Sequence, residues 1–325
     1  MLQFLIRRSF GAVLILVLIS AFTFFMFFAI PQDPAMLACG KNCTPDALEI
    51  IHKNLGLDKP VTVQYWNFLI GIFAGRDFAV GHCAAPCFGV SFANNQNVWD
   101  TIMDRFPLTV SLTVGSLVVF LVLGLGAGLV AARNRGTWID KVFSSGSLVV
   151  SSLQIYFLGP LVLLAFVYST GWLSKPKYVP FSEDLGGWFM GLLIPWLVMA
   201  TIFTANYTRM SRSSMIEQLQ EEHVRAARAK GMSGNYTFFR YAWRGSLVPV
   251  VTILGMDLAS LMGGGMVTEM TFGLAGVGRL ALVSVRDKDL PMLMGVMLVS
   301  AALIIVFNLI VDAMYAVIDP RVRLS

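Results

Sequence analysis

Charge is scarce in this chain. Only 13% of its 325 residues are Asp, Glu, Lys or Arg, while 56% are hydrophobic and the mean hydropathy is +0.71. A soluble domain could not hide that much apolar surface, so the composition specifies an integral membrane protein. The chain also lacks a Gly-x-x-x-x-Gly-Lys-Ser/Thr loop, since Gly40-Lys41 has neither the upstream glycine nor the following hydroxyl. It therefore brings no phosphate-cradling motor of that type, and energy for uphill transport must come from a separate ATPase or an ion gradient. His-Glu-x-x-His and Gly-x-Ser-x-Gly are missing too, and the only histidines, His52, His82 and His223, lie outside the apolar runs. That pattern argues against a membrane hydrolase.

What is present is long apolar runs. Roughly 20 helical residues cross the ~30 Å hydrocarbon layer. Six stretches qualify: Ser9 to Ile30, Phe106 to Ala132, Val142 to Thr170, Gly186 to Thr208, Ser246 to Thr268 and Pro291 to Ile318. The expected fold is an all-α membrane protein with six transmembrane helices. Arg7 and Arg8 precede the first run as in a signal peptide, but the run is too long, and Pro31-Gln32-Asp33-Pro34 offers no small-residue cleavage site. It reads as an anchor.

Lysine and arginine set the orientation. With the N-terminus inside, the inner segments 1–8, 133–141, 209–245 and 319–325 carry 14 of them in 61 residues, and the outer segments carry 10 in 112. Both termini are therefore expected in the cytoplasm. The inner segments hold 5 acids and the outer ones 12, so the net charge of +5 reflects topology and gives no sign of a nucleic-acid partner. The organisation is an anchor over 1–30, an external segment over 31–105, a five-helix core over 106–318 that includes an inner loop at 209–245, and a cytoplasmic tail at 319–325.

The inner loop is the most informative stretch. Ser214-Met215-Ile216-Glu217 has the spacing of a capping box, which predicts a helix starting there. Glu221 and Arg225 stand four apart in the favourable order, Ala226, Ala227 and Ala229 favour helix, and Gly231 suits the left-handed turn that ends one. A second short helix is expected with Tyr236, Phe239 and Trp243 on one face. Small residues around a turn, flanked by aromatics, fit a docking surface for another protein; a basic helix pair lying on phospholipid headgroups is the alternative.

Arg225-Ala226-Ala227 followed by Gly231 resembles the Glu-Ala-Ala-x-x-x-Gly loop of ATP-binding-cassette importer permeases, in the form found in the dipeptide and oligopeptide permease family. Arg225 occupies the Glu position and Arg244 the Pro position of the general motif. Further similarities run along the chain: Leu55-Gly56-Leu57-Asp58-Lys59-Pro60 with Gln64-Tyr65, Leu247-Val248-Pro249, Gly263-Gly264 with Thr268-Glu269, Gly276-Val277-Gly278-Arg279-Leu280, and Asn308-Leu309-Ile310-Val311-Asp312 with Asp319-Pro320-Arg321. The resemblance implies the type I importer permease fold in an inner membrane. It also implies a coupling loop at Arg225, Ala226, Ala227, Lys230, Gly231 and Tyr236. The implied partners are a second homologous permease in a hetero-dimer, two ATPase subunits carrying ATP and Mg, an extracytoplasmic solute-binding protein, and membrane lipid. No cofactor is expected on this chain. A secondary carrier or channel without an ATPase is the alternative.

Only Asp257 and Asp312 place a charge inside the expected spans. Asp257, near mid-span, fits either a solute path with Ser260 and Gly264 or a structural carboxylate bonded to neighbouring helices. Asp312 fits pairing with an inner arginine. Gly124, Gly126 and Gly128, like Gly263, Gly264 and Gly265, fit close helix packing. By resemblance, Glu269, Gly276, Gly278 and Arg279 are external contacts for a binding protein; a turn packing the outer pore mouth is the alternative. Within the external segment, Pro45 to Leu55 and Tyr65 to Phe73 read as short helices, the second skimming the membrane.

All four cysteines, Cys39, Cys43, Cys83 and Cys87, fall in the external segment. An oxidising environment favours disulfides, with three possible pairings, while two metal-ligand pairs joined by His52 or His82 would have a similar pattern. Thiol labelling without reductant is expected to find all four blocked; four reactive thiols would refute the disulfides.

Overall fold

The computed structural model describes residues 2–28, 35–36, 44–45, 48–49, 52, 57–78 and 81–318, apart from the side chains of 2–7, 28, 259–260, 262–264 and 311–318. In chain order it contains α1 (Leu2–Phe28), α2 (Val61–Ala74), the antiparallel pair β1 (Arg76–Phe78) and β2 (Gly81–Cys83), and α3 (Val98–Arg133). There follow α4 (Trp138–Ser151), α5 (Ile155–Val162), α6 (Leu185–Gln218), α7 (Glu222–Ala229) and α8 (Trp243–Gly264). The last elements are α9 (Met266–Phe272), α10 (Val277–Arg286) and α11 (Leu290–Ile318). These elements form two compact units, Met1–Thr109 with Ala275–Leu309 and Val110–Leu274 with Ile310–Ser325.

Length and composition qualify Arg8–Phe27, Val98–Arg133, Leu185–Gln218 and Leu290–Ile310 as spans, and up to six result when each of two bent helix pairs counts as one. The expected third span, Val142 to Thr170, is one of those bent pairs: α4 and the helix running through α5 meet at 101°. The hydroxyls of Ser147, Ser151 and Ser152 donate to carbonyls three or four residues back, which bends a helix, and Ser152 to Gln154 break it. The helix then continues from α5 into a π-helical stretch, Leu163–Ser169. The expected fifth span, Ser246 to Thr268, covers most of α8 and the start of α9 but is not among these candidates; the second bent pair is α9 with α10 at 84°, most of it in the segment expected outside. The small hairpin β1–β2 is an addition to the all-helical expectation. Most of Pro45 to Leu55 lies outside the described residues, whereas Tyr65 to Phe73 is helical within α2.

In the first unit, Phe24 of α1 packs its ring on Tyr65 and Phe68 of α2 at 5.4 and 5.6 Å, and joins Met294 and Leu298 of α11 in one core. Ser20 and Tyr65 share a hydrogen bond of 2.8 Å between these helices. A second core gathers Val98 and Ile102 of α3, Val277 and Leu280 of α10, and Met292 and Val296 of α11. Buried Asp289 caps α11 by accepting from the Met292 amide at 3.3 Å. It also accepts from the Phe92 amide at 3.1 Å and from the Ser91 hydroxyl, so it ties the end of the external segment to the head of the last helix.

In the second unit, α3 and α6 lie close enough that a Cβ on Gly124 would stand 2.8 Å from Tyr207, and one on Gly128 would stand 2.7 Å from Ser211. Gly115 leaves the room that the Trp196 indole fills. Gly126 has nothing within 4 Å, so its expected packing role does not hold. The reason is the helical period: 124 and 128 share a face, and 126 is turned about 200° away. Phe120 stacks between Phe203 and Tyr207 at 5.2 and 4.8 Å. In lipid this close approach, rather than hydrophobic exclusion, holds helices together.

Gly128→Leu is expected to destabilise the protein by about 1–3 kcal/mol through overpacking. Gly126→Leu should change stability by less than about 0.5 kcal/mol. Melting of the two detergent-purified variants checks the contrast; equal losses would refute the assignment of faces.

Candidate coupling surface and solute path

Helix α7 has eight residues and ends in a Schellman turn. Gly231 takes φ +78°, its amide donates to the Arg228 carbonyl at 2.9 Å, and the Met232 amide donates to the Ala227 carbonyl at 3.3 Å. The expected glycine stop is therefore present. The capping box is not: Ser214 to Glu217 lie inside α6, which runs on to Gln218. Tyr207, Thr208, Ser211 and Met215 keep one face of α6 buried through that stretch, and tertiary packing overrides the local start signal. The Glu221–Arg225 pairing also differs from expectation. Glu221 precedes the helix in extended backbone, with ψ 148°, and its carbonyl rather than its side chain bonds the Arg225 amide at 3.1 Å.

The elbow is seated by its apolar side. Val224 is fully buried among Ala132, Met215, Phe238 and Ala242, and Ala227 is buried too. Ala227 thus belongs to the seat, while Arg225, Ala226, Arg228, Ala229, Lys230 and Gly231 are exposed. Beyond the elbow, Gly234–Tyr236 leads into a π-helical stretch, Thr237–Ala242, that is continuous with α8, in place of the separate second helix expected. The wider π turn shifts the register. Phe238 and Ala242 point inward, Tyr236 and Phe239 are each 52% exposed, and Trp243 packs at the edge of the seat.

A charged clamp stands behind the seat. Arg212 of α6 grips Asp140 of α4 through two bonds of 2.5 and 2.8 Å, and Asp140, 7% exposed, also accepts from the Gly136 amide and the Ser144 hydroxyl. Arg133 of α3 donates to Asn235, beside the elbow, at 2.9 Å. The sequence reading missed Asp140. Its signal was an acid in the first turn of a helix within an otherwise basic inner segment.

Asp257 of α8 is half-buried and accepts from the Tyr207 hydroxyl of α6 at 2.9 Å. One carboxylate oxygen thus serves the helix pairing expected of a structural carboxylate. Ser260 and Gly264 follow on the same helix, with side chains outside the described set, as is that of Asp312. The outer candidates do not form one exposed patch. Glu269 is fully buried, because α9 turns Thr268, Glu269 and Phe272 to the protein interior, so it is not a surface contact. Gly276 is buried as the residue before α10, and Gly278 and Arg279 are half-buried. The Cys83 and Cys87 sulfurs are 2.04 Å apart, as in a disulfide, and Cys39 and Cys43 lie outside the described residues. No group of three His, Cys, Asp or Glu gathers among the described residues, so nothing there supports the metal alternative.

A set of apolar helices carrying a polar, well-seated elbow is the architecture of a membrane transport subunit. The family profile for the binding-protein-dependent transport system inner membrane component matches residues 124–324, and the profile for the N-terminal part of such membrane components matches 1–113. A Brucella abortus (strain 2308) protein with the provisional name of peptide transport system permease is 33% identical over 323 residues, 99% of each chain. The glutathione transport system permease protein GsiC of Escherichia coli (strain K12) is 31% identical over the same share of each. The chain belongs to the family of binding-protein-dependent transport system inner membrane components. It is a transport subunit of an ATP-binding-cassette system, and ATP hydrolysis lies on separate subunits.

Val224→Ala is expected to weaken the seat of α7 by roughly 1–2 kcal/mol. Amide exchange across residues 222–229 should then quicken about tenfold while that of α6 stays unchanged. Unchanged exchange in α7 would mean that the seat does not hold it.

Proposed function

We propose that this chain forms one half of the path of an importer for peptides or similar small solutes, driven by ATPase subunits that grip the α7 elbow. The observation that carries the reading is the two-sidedness of the elbow: Val224 and Ala227 are buried, and a small, cationic outer face is left exposed beside Tyr236 and Phe239. Small residues let a partner backbone approach, and exposed aromatics supply anchor area. The peptide class rests on the names of the relatives, one a peptide permease and one a permease for glutathione, itself a tripeptide.

In this reading both termini and the elbow face the cytoplasm of a cell whose inner membrane the chain crosses several times. A distinct homologous permease completes the path, a binding protein delivers solute outside, and Mg-ATP binds on the two ATPases. The external cysteines stand oxidised. The free carboxylate oxygen of Asp257 faces the path and meets a peptide amino group, with Ser260 and Gly264 along the same helix. Arg279, with Gly278, serves the outer mouth; Glu269 and Gly276 have no contact role. ATP binding can drive the switch in access only if the ATPases bind the elbow differently in their two nucleotide states.

Gly231→Val forces a β-branched residue into left-handed backbone, at a cost of about 1–2 kcal/mol, and should distort the elbow without disturbing the spans. Co-expressed with its partner subunits, this variant should reach the membrane normally but lose the ATPase on purification, as should Ala226→Trp. ATP-dependent uptake of a tripeptide into proteoliposomes should fall with it. Uptake by the wild type without ATP, or full ATPase retention by both variants, would overturn the proposal.

A further inference from the structure

The first unit has a partly open cavity of about 60 Å³, lined by none of the residues of the candidate solute path. Its wall is aromatic, with Phe24 of α1, Phe68 of α2, and Phe78, Phe88 and Phe92 of the external segment, and its polar groups include Arg76 and Asn67. Arg76 begins β1. Its stem lies 3.7 Å from the place of a Cβ on Gly71 of α2, and its guanidinium carbon sits 4.4 Å from the Phe78 ring centroid.

This cation is poorly compensated. Among the described residues, no carboxylate lies within ion-pair distance of Arg76. Asp77, next in sequence, is engaged with His82 at 2.6 Å, and Asp289, close to the lining residues Phe92 and Pro291, with Ser91, Phe92 and Met292. Burial holds the guanidinium proton affinity below its ordinary value, the sign of a cation removed from water without a counter-charge. A guanidinium keeps its charge in such a place and presents a planar fork suited to phosphate oxygens. The Asn67 side chain is half-buried, carries two further amide donors and makes no hydrogen bond among the described residues.

The apolar flank of the cavity points to the source of the phosphate. The outward face of α2 exposes Trp66 at 63%, Ile70 at 49% and Phe73 at 83%, and α1 beside it exposes Leu18 and Phe22. Such aromatics sit at the level of lipid headgroups. A cavity of this size takes a small headgroup and not a peptide.

We propose that the cavity between α1, α2, β1 and the head of α11 binds a phosphate group, held by the Arg76 fork and the Asn67 amide and supplied by a phospholipid of the surrounding leaflet. The bound lipid staples α2 to α1, so the external segment is fixed to the first span partly through a molecule that is not protein.

The test uses the full chain co-purified with its partner subunits, delipidated in detergent, and titrated with dioctanoyl phosphatidylglycerol while bound lipid is counted by native mass spectrometry. Wild type should bind one molecule in this unit. Arg76→Gln should weaken that binding about tenfold or more, as loss of a charged hydrogen bond does. Asn67→Phe fills the cavity while keeping the cation and should weaken binding to a similar extent, so the test does not depend on how well Arg76→Gln folds. Inorganic phosphate should compete weakly. If phosphate alone saturates the site and the lipid adds nothing, the phosphate chemistry stands and its source is free phosphate. Equal lipid binding by wild type and Arg76→Gln, or equal binding of dioctanoylglycerol without a phosphate, would overturn the proposal. So would undiminished binding by Asn67→Phe.

Discussion

Helix α6 is the member on which the second unit depends. Along one helix, Trp196 fills the space at Gly115 and donates to the Ser111 carbonyl, Tyr207 packs at Gly124 and bonds Asp257, Ser211 meets Gly128, Arg212 clamps Asp140, and Met215 seats Val224. Tyr207, Ser211 and Met215 stand four apart, so they share a face over ~12 Å of helix. Arg212 lies off that face and reaches α4 instead. The elbow at one end and the carboxylate of Asp257 further along are therefore both attached to the same rigid rod. A displacement applied at Met215 reaches Tyr207 without passing through a loop.

Lipid accounts for the kind of packing used. Backbone groups within the hydrocarbon must be satisfied inside each helix, and association between helices depends on close approach. The glycines of α3 provide that approach. At the bend between α4 and α5 the serine hydroxyls take up carbonyls around it. Two charges among the described helices are answered by a partner on a neighbouring helix: Asp140 by Arg212 and Asp257 by Tyr207. Removing one member of the Asp140–Arg212 pair would leave the other charge stranded, which makes the pair a device for holding α4 against α6 in one arrangement.

How far the sequence could be read depended on whether a residue type decides the local structure or its neighbours do. Gly231 was legible because left-handed backbone favours glycine, and the long apolar runs were legible because lipid demands them. Ser214 misled because a capping box is a local signal, and the buried face of α6 carries the helix through it. Of the aromatic trio, Tyr236 and Phe239 stay exposed beside the elbow, while the π-helical stretch continuous with α8 replaces the separate helix and leaves Trp243 at the edge of the seat. Glu269 read as an outer contact because its resemblance to a family segment says nothing about which side of α9 is covered. The Asp140–Arg212 clamp joins residues 72 apart, and neither residue alone announces the other.

A coupling elbow also has to be stronger than the force it transmits. Moving a two-state equilibrium from 1:99 to 99:1 takes about 5.5 kcal/mol of differential binding. If the elbow were held by less than that, a pulling partner would peel α7 away and leave α6 in place. Its seat rests chiefly on Val224, Phe238 and Met215, all buried, and each such side chain contributes roughly 1.5–3 kcal/mol where water is the alternative, so roughly 4.5–9 in all. The Schellman turn at Gly231 and the Arg133–Asn235 bond add to it. The two quantities are of the same size, and the buried side of α7, Val224 and Ala227, is apolar while its exposed side carries the cations. The seat is built to hold under load, and the exposed face is left for the partner.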